Sequence, residues 1–117
     1  MVTIFEQGDI VYLDFDPQSG HEQKGRRPAL VVSNDVMNRL CTLTMVCPVT
    51  HTDRGSPLHV PLDGRTRLFP RDCQAFVEDV QARMLDLNSR HASFVERAPE
   101  DISSEAVDMV IGFLEPK

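Results

Sequence analysis

No stretch of this chain approaches the roughly 18 apolar residues that a membrane-spanning helix needs. Its opening, MVTIFEQGD, has no basic segment leading into an apolar one, so no secretory signal is expected. Cysteine is scarce and odd in number: Cys41, Cys47 and Cys73. An odd count argues against a disulfide framework. Cys41 and Cys47, read as members of one strand, would stand about 20 Å apart at about 3.3 Å per residue. A disulfide tolerates only about 7 Å between Cα atoms. The expected state is small buried hydrophobes in a reducing cytoplasm. His21, His51, His59 and His91 show no HxxxH spacing and no CxxC occurs, so the structural-zinc patterns are missing and no metal or cofactor is expected. Walker and GxGxxG loops are absent too. No GxSxG elbow supports a Ser-His-Asp triad, which stays open on sequence alone.

What is present describes an ordinary globular protein: 117 residues, 41% apolar and 26% charged, expected to form one domain over 1–117. The net charge of −6 first speaks against a nucleic-acid partner, but the charge is unevenly placed. Residues 1–19 carry four acids and no base, and residues 72–117 carry ten acids against four bases. Residues 20–71 reverse the sign, with eight bases against four acids, and seven of the eight are Arg. Arg suits bidentate phosphate contact and stacking on bases. Screening over about 8 Å at physiological salt lets such a patch bind a polyanion despite the opposing net charge. A solvated loop surface explains the charge pattern equally well.

Turn residues and β-prone runs place strands over 10–15, 29–33, 42–49 and 58–62, with further strands expected over 73–80 and 83–87. Residues 34–40 suit one helical turn. Pro48 inside the third run predicts a strand end or an edge. The period then changes: Ile102, Ala106, Val107, Met109, Val110, Phe113 and Leu114 share one helical face, with Pro99, Glu100 and Asp101 suited to its first turn. That face is expected to pack on the sheet and to carry no chemistry. The fold class expected is mainly β (α+β), a curled antiparallel sheet or small barrel of five or six strands with a terminal helix.

One loop concentrates polar groups between two apolar strands: Gly20-His21-Glu22-Gln23-Lys24-Gly25-Arg26-Arg27-Pro28. Its two glycines permit unusual backbone angles or close ligand approach. Pro28 holds Arg27 extended. The segment GDIVYLDFDPQSGHEQKGRRPALVVS, residues 8–33, closely resembles the opening of the MazF/PemK family of toxin ribonucleases. The shared features are Gly8-Asp9, Asp16-Pro17, Gly20-x-Glu22-Gln23 and Arg27-Pro28-Ala29-x-Val31, with a second match at Cys47-Pro48-Val49-Thr50 and the downstream Gly55-x-Pro57. The resemblance implies a compact SH3-like β-barrel with appended helices. It implies a homodimeric, sequence-specific, metal-independent endoribonuclease acting on single-stranded RNA or mRNA. The partner implied is a labile acidic antitoxin, with operator DNA bound only in its company. A disordered acidic segment lying on the basic loops would displace RNA.

The chemistry that such an enzyme needs is fixed. The 2′-OH must lose a proton and attack its phosphate, the phosphorane needs positive stabilisation, and the 5′-oxygen needs a proton. Cyclic 2′,3′-phosphate and 5′-OH ends are expected. By the resemblance, Arg27 and Thr50 stand at the family's catalytic positions. Arg27 bridges two phosphate oxygens and Thr50 donates to the developing charge; without the motif, Thr50 reads as a strand-end hydroxyl satisfying the backbone. Glu22 either accepts a proton or pairs with Arg26 or Arg27. His21, where many members have Ser, either assists proton transfer or only contacts RNA or solvent. Gln23, Lys24, Arg26 and His51 belong to the matching segments as RNA contacts. Phe15, Arg54, Arg65 and Arg67 are either RNA contacts or solvated loop residues. Asp79 stands where relatives often carry Gln, in a region that touches substrate, where an acid would repel phosphate unless it reads a base donor. The competing function is a non-catalytic barrel that binds RNA or an acidic protein. A DNA regulator fits poorly, because the one strong helix is acidic on its polar face (Glu100, Asp101, Glu105, Asp108).

Overall fold

A computed structural model of the chain describes residues 2–15, 25–52, 55–62, 65–69 and 74–116. In chain order the elements are β1 (Asp9–Asp14), β2 (Arg26–Val31), α1 (Asp35–Leu40), β3 (Thr44–Thr50), β4 (His59–Pro61), β5 (Phe76–Glu78), β6 (Arg83–Leu85), β7 (Ser93–Arg97) and α2 (Glu100–Leu114), with a 3-10 turn at Asp79–Gln81 between β5 and β6. All strand pairs are antiparallel, in the order β4-β5-β3-β2-β1-β7, and β6 joins β3 off that path. The mainly β fold with a C-terminal helix is the one expected; among the described residues no pairing joins β4 to β7, so of the two forms weighed, curled sheet or small barrel, the sheet is not closed. No helix of the described residues is long and apolar enough to cross a membrane.

The apolar runs of β1 and β2 are continuous rather than alternating because these strands are covered on both faces. On one face Ile10, Leu30, Cys47 and Val49 pack with Val60, Leu62, Val77 and, from α2, Ile102 and Ala106. On the other, Val11, Leu13, Ala29, Val31 and Val46 meet Phe5 from the N-terminal segment and Leu85 and Leu87 from the chain around β6. Strand β3 is the hinge of the sheet. Its first residues pair with β6 (Thr44↔Leu85 to Val46↔Arg83) and its last with β5 (Val49↔Val77, Thr50↔Phe76), on the same edge. Pro48, expected at a strand end or edge, is buried inside β3, at the changeover between these partners, where a missing N–H costs least.

Gly8 has φ 96°, its N–H donates to the Val31 carbonyl and its own carbonyl accepts from Ala98. A Cβ there would lie 3.3 Å from Arg97 Nη2. Arg97 in turn donates to the buried Asp9 at 2.8 Å. Asn34 caps α1, its side chain accepting from the Met37 N–H. Cys41 ends that helix instead of lying on β3, and Cys41 and Cys47 are both free thiols. In α2 the predicted stripe packs on the core as expected as far as Val110: Ile102 and Ala106 are inside and Val107, Met109 and Val110 are partly buried against the same cluster, whereas Phe113 and Leu114 are exposed.

Candidate active site

The register of β2 against β3 runs Val31↔Val46, Leu30↔Cys47, Ala29↔Pro48. Arg27 and Thr50 each lie two residues beyond its last pair, at the adjoining ends of β2 and β3, and Arg27 reaches the Val49 carbonyl there. Both residues line one open groove of about 690 Å³, together with Tyr12, Arg26, His51 and Phe69.

Arg27 is fixed from behind. Its Nη2 donates to the Val49 carbonyl and to Glu78 Oε1, each at 3.1 Å. The Glu78 side chain is only 9% exposed, and its second oxygen lies 3.9 Å from His59 Nε2. The guanidinium also lies over the Phe15 ring, at 5.7 Å, while Arg83 covers the same ring at 5.3 Å. The described residues place no acceptor on Nη1 or Nε, so N–H groups of the guanidinium remain for a phosphate. Thr50 Oγ1 accepts the Thr52 N–H at 3.2 Å. The backbone-satisfying role expected of a strand-end Thr is therefore real, yet it uses a lone pair and leaves the hydroxyl proton to donate. Beside it, His51 Nδ1 meets the Gln74 carbonyl at 2.8 Å, which makes Nδ1 the protonated nitrogen, and the ring leans on Phe69.

Several other predicted contacts stand elsewhere. Arg26 lines the groove, but its guanidinium donates to Asp14 Oδ1 at 2.8 Å and to the Tyr12 and His91 carbonyls while lying 5.0 Å over the Tyr12 ring. It is a strut of the groove wall. Phe15 is buried beneath Arg27 and Arg83, so it supports guanidinium groups and presents no stacking surface to a base. Arg65 is held by both oxygens of Asp101 at the start of α2, at 2.7 and 2.6 Å, which keeps the Asp101 carboxyl below its usual range. Arg67 gives its backbone N–H to Glu96, and two residues on, Phe69 reaches the groove.

Asp79 is corrected outright. It is fully buried in the 3-10 turn that packs between β3 and α2, so it cannot touch RNA. Both its oxygens lack a partner among the described residues. Burial first, and Glu105 second, push its carboxyl up to about 7. Burial, then the nearby Asp79, also pushes the Cys47 thiol up, which makes it a poor nucleophile. His21, Glu22, Gln23, Lys24 and Arg54 lie outside the described residues. Gly25, expected to permit unusual angles or close ligand approach, is buried just before β2.

Sequence reasoning missed Glu78, His59 and Arg83. The signal for Glu78 was slight: in Phe76-Val77-Glu78 only alternation hints at its side, and its cross-strand neighbour is His59. No group of three or more metal-ligating side chains exists among the described residues.

Residues 6–113 match the family model of the PemK-like, MazF-like toxin of type II toxin–antitoxin systems. The chain is 40% identical over 107 residues to the endoribonuclease toxin ChpB of Escherichia coli (strain K12), covering 88% of each. The solved MazF (Form-I) of Deinococcus radiodurans superposes with a TM-score of 0.77 at 36% identity, covering 97% of this chain and 98% of that one. The MazE–MazF structure (Form-III) from the same organism gives 0.79 at 32% identity, covering 96% and 97%.

Proposed function

The chain belongs to the PemK-like, MazF-like toxins of type II toxin–antitoxin systems, and from that premise we propose that it is a sequence-specific endoribonuclease that cuts single-stranded RNA. The observation that carries this reading is the meeting of Arg27 and Thr50 on one groove, with Arg27 already anchored by the buried Glu78. The N–H groups of Arg27 not held by Val49 and Glu78 donate to the non-bridging oxygens of the scissile phosphate. The Thr50 hydroxyl donates to one of them. As the 2′-OH loses its proton and attacks, charge builds on those oxygens, and donors fixed beforehand stabilise it without reorganising. Arg27 is placed as electrostatic stabiliser and not as base, because a guanidinium stays protonated at working pH. Proton removal falls to His21 or Glu22 in the preceding loop. The chain breaks to a 2′,3′-cyclic phosphate and a 5′-OH with no metal ion.

Residues 1–117 act as a single toxin domain in the cytoplasm. The active form is a homodimer, silenced by an acidic antitoxin that lies over the arginine-rich groove. The decisive experiment incubates the purified protein with long single-stranded RNA in EDTA and identifies the new ends. Discrete cuts with cyclic-phosphate ends are expected, and Arg27→Ala lowers kcat by 100-fold or more, the scale of losing about 3 kcal/mol of charge stabilisation. RNA binding without cuts would instead leave a non-catalytic binding module.

A further inference from the structure

Beside the groove, behind Tyr12 and Arg26 of its lining, the surface is built differently from the Arg27–Thr50 end. There Asp14, Arg26 and His91 form a closed set. Asp14 Oδ1 accepts from Arg26 Nη1 at 2.8 Å, Asp14 Oδ2 faces His91 Nδ1 at 2.9 Å, and Arg26 Nη2 returns to the His91 carbonyl at 3.2 Å. The His91 bond, then the Arg26 bond, holds the Asp14 carboxyl below its usual range. A carboxylate only accepts, so Nδ1 carries the proton and Nε2 is the nitrogen turned outward on a side chain that is 77% exposed. No described residue bonds Nε2. Arg26, although it lines the groove, spends Nη1 on Asp14 and Nη2 on two carbonyls.

The backbone of His91 adds a second, independent observation. Its φ is 56°, the sole positive value at a non-glycine residue among the described residues. A left-handed conformation costs a side-chain-bearing residue about 1 kcal/mol or more. Glycine would sit there without strain. The chain instead keeps an imidazole, oriented by a carboxylate, beside the Tyr12–Arg26 end of the groove.

We propose that His91 is a phosphate-binding residue of the RNA track: its Nε2, oriented by Asp14, takes a phosphodiester oxygen of a nucleotide away from the scissile bond. This rests on the ribonuclease reading above. Among the described residues the charged groups bonded to His91 are Asp14 from β1, at the ring, and Arg26 from β2, at the carbonyl, while Arg90 and Asp86 stand in its own turn. Arg90 Nη1 is turned to the Phe15 carbonyl at 2.6 Å, and Asp86 Oδ1 accepts the Asn88 and Ser89 N–H groups. An imidazolium donates from both nitrogens, so the protonated ring keeps Asp14 on Nδ1 and offers an Nε2–H to the phosphodiester oxygen. His91 acts on binding and not on the cleavage step.

The test measures cleavage of long single-stranded RNA by wild type, His91→Gly and His91→Asn at pH 6 and pH 8. Both replacements tolerate a left-handed backbone, so both are expected to fold, with melting temperatures within about 3 °C of wild type. At pH 6, KM rises about tenfold in both variants, the scale of one hydrogen bond to a charged group, while kcat stays within twofold. At pH 8 the KM difference shrinks to about twofold or less. A wild-type KM in both variants at both pH values overturns the proposal and leaves the ribonuclease reading standing. So does a KM rise of equal size at both pH values, or a loss confined to kcat. Wild type that makes no cuts overturns the ribonuclease reading and this proposal with it.

Discussion

Replacing Asp79 with asparagine should change how the stability of this protein depends on pH. The carboxyl is fully buried, has no hydrogen-bond partner among the described residues, and ionises only at about 7 instead of 3.8. At about 1.36 kcal/mol per pH unit, the fold loses at most about 4 kcal/mol when this group must ionise. The sign follows from proton counts. Below about pH 4 the carboxyl is protonated in both states and costs nothing. Between about 4 and 7 the unfolded chain releases the proton and the folded chain keeps it, so stability falls as pH rises. Above about 7 the penalty is complete. Urea unfolding of wild type and Asp79→Asn at pH 5 and pH 8 isolates this group, because Asp14 and Asp101, whose carboxyls are shifted the other way, are common to both proteins. The replacement brings its own unpaired amide, but that cost is the same at both pH values. The stability of the variant relative to wild type should rise by about 2–3 kcal/mol between pH 5 and pH 8. An unchanged difference would refute the reasoning, and would mean that Asp79 is solvated or paired in solution.

Two further outcomes are expected. Glu78→Gln keeps an acceptor near Arg27 Nη2 but removes the charge that holds it, so kcat should fall by about tenfold with KM within threefold, read in the same RNA assay. Ile102→Ala empties the space where α2 meets the sheet, and should lower unfolding free energy by about 2–4 kcal/mol with an unchanged denaturant slope.

The apolar runs and turn residues made most strands legible, and the change to a helical period located α2 to within a residue or two. Other features depended on partners distant in sequence. Strand β7 (Ser-Phe-Val-Glu-Arg) is half exposed and carries little apolar signal of its own; it forms because β1 offers an edge. The open sheet could not be told from a barrel, since closure depends on which edges meet. At the site, Arg27 and Thr50 were legible through the motif, and the register explains why two residues so far apart in sequence meet. Phe15, Arg26 and Arg65 look like free surface groups in sequence, and become supports only when Arg83, Asp14 and Asp101 arrive from other elements. Asp79 misled for the same reason: an acid in a polar stretch reads as exposed until a helix from the far end of the chain covers it.

The divided edge of β3 has a mechanical consequence. Among the described residues the short ribbon of β4 and β5 pairs with the rest of the sheet only at Val49 and Thr50, helped by the His51–Gln74 bonds and by core packing, and it carries Glu78, which tethers Arg27. Helix α2 rests on that ribbon and on the turn holding Asp79. Displacing α2 therefore disturbs the ribbon that holds Glu78, and with it the tether of Arg27, so the groove is coupled to the seating of the terminal helix.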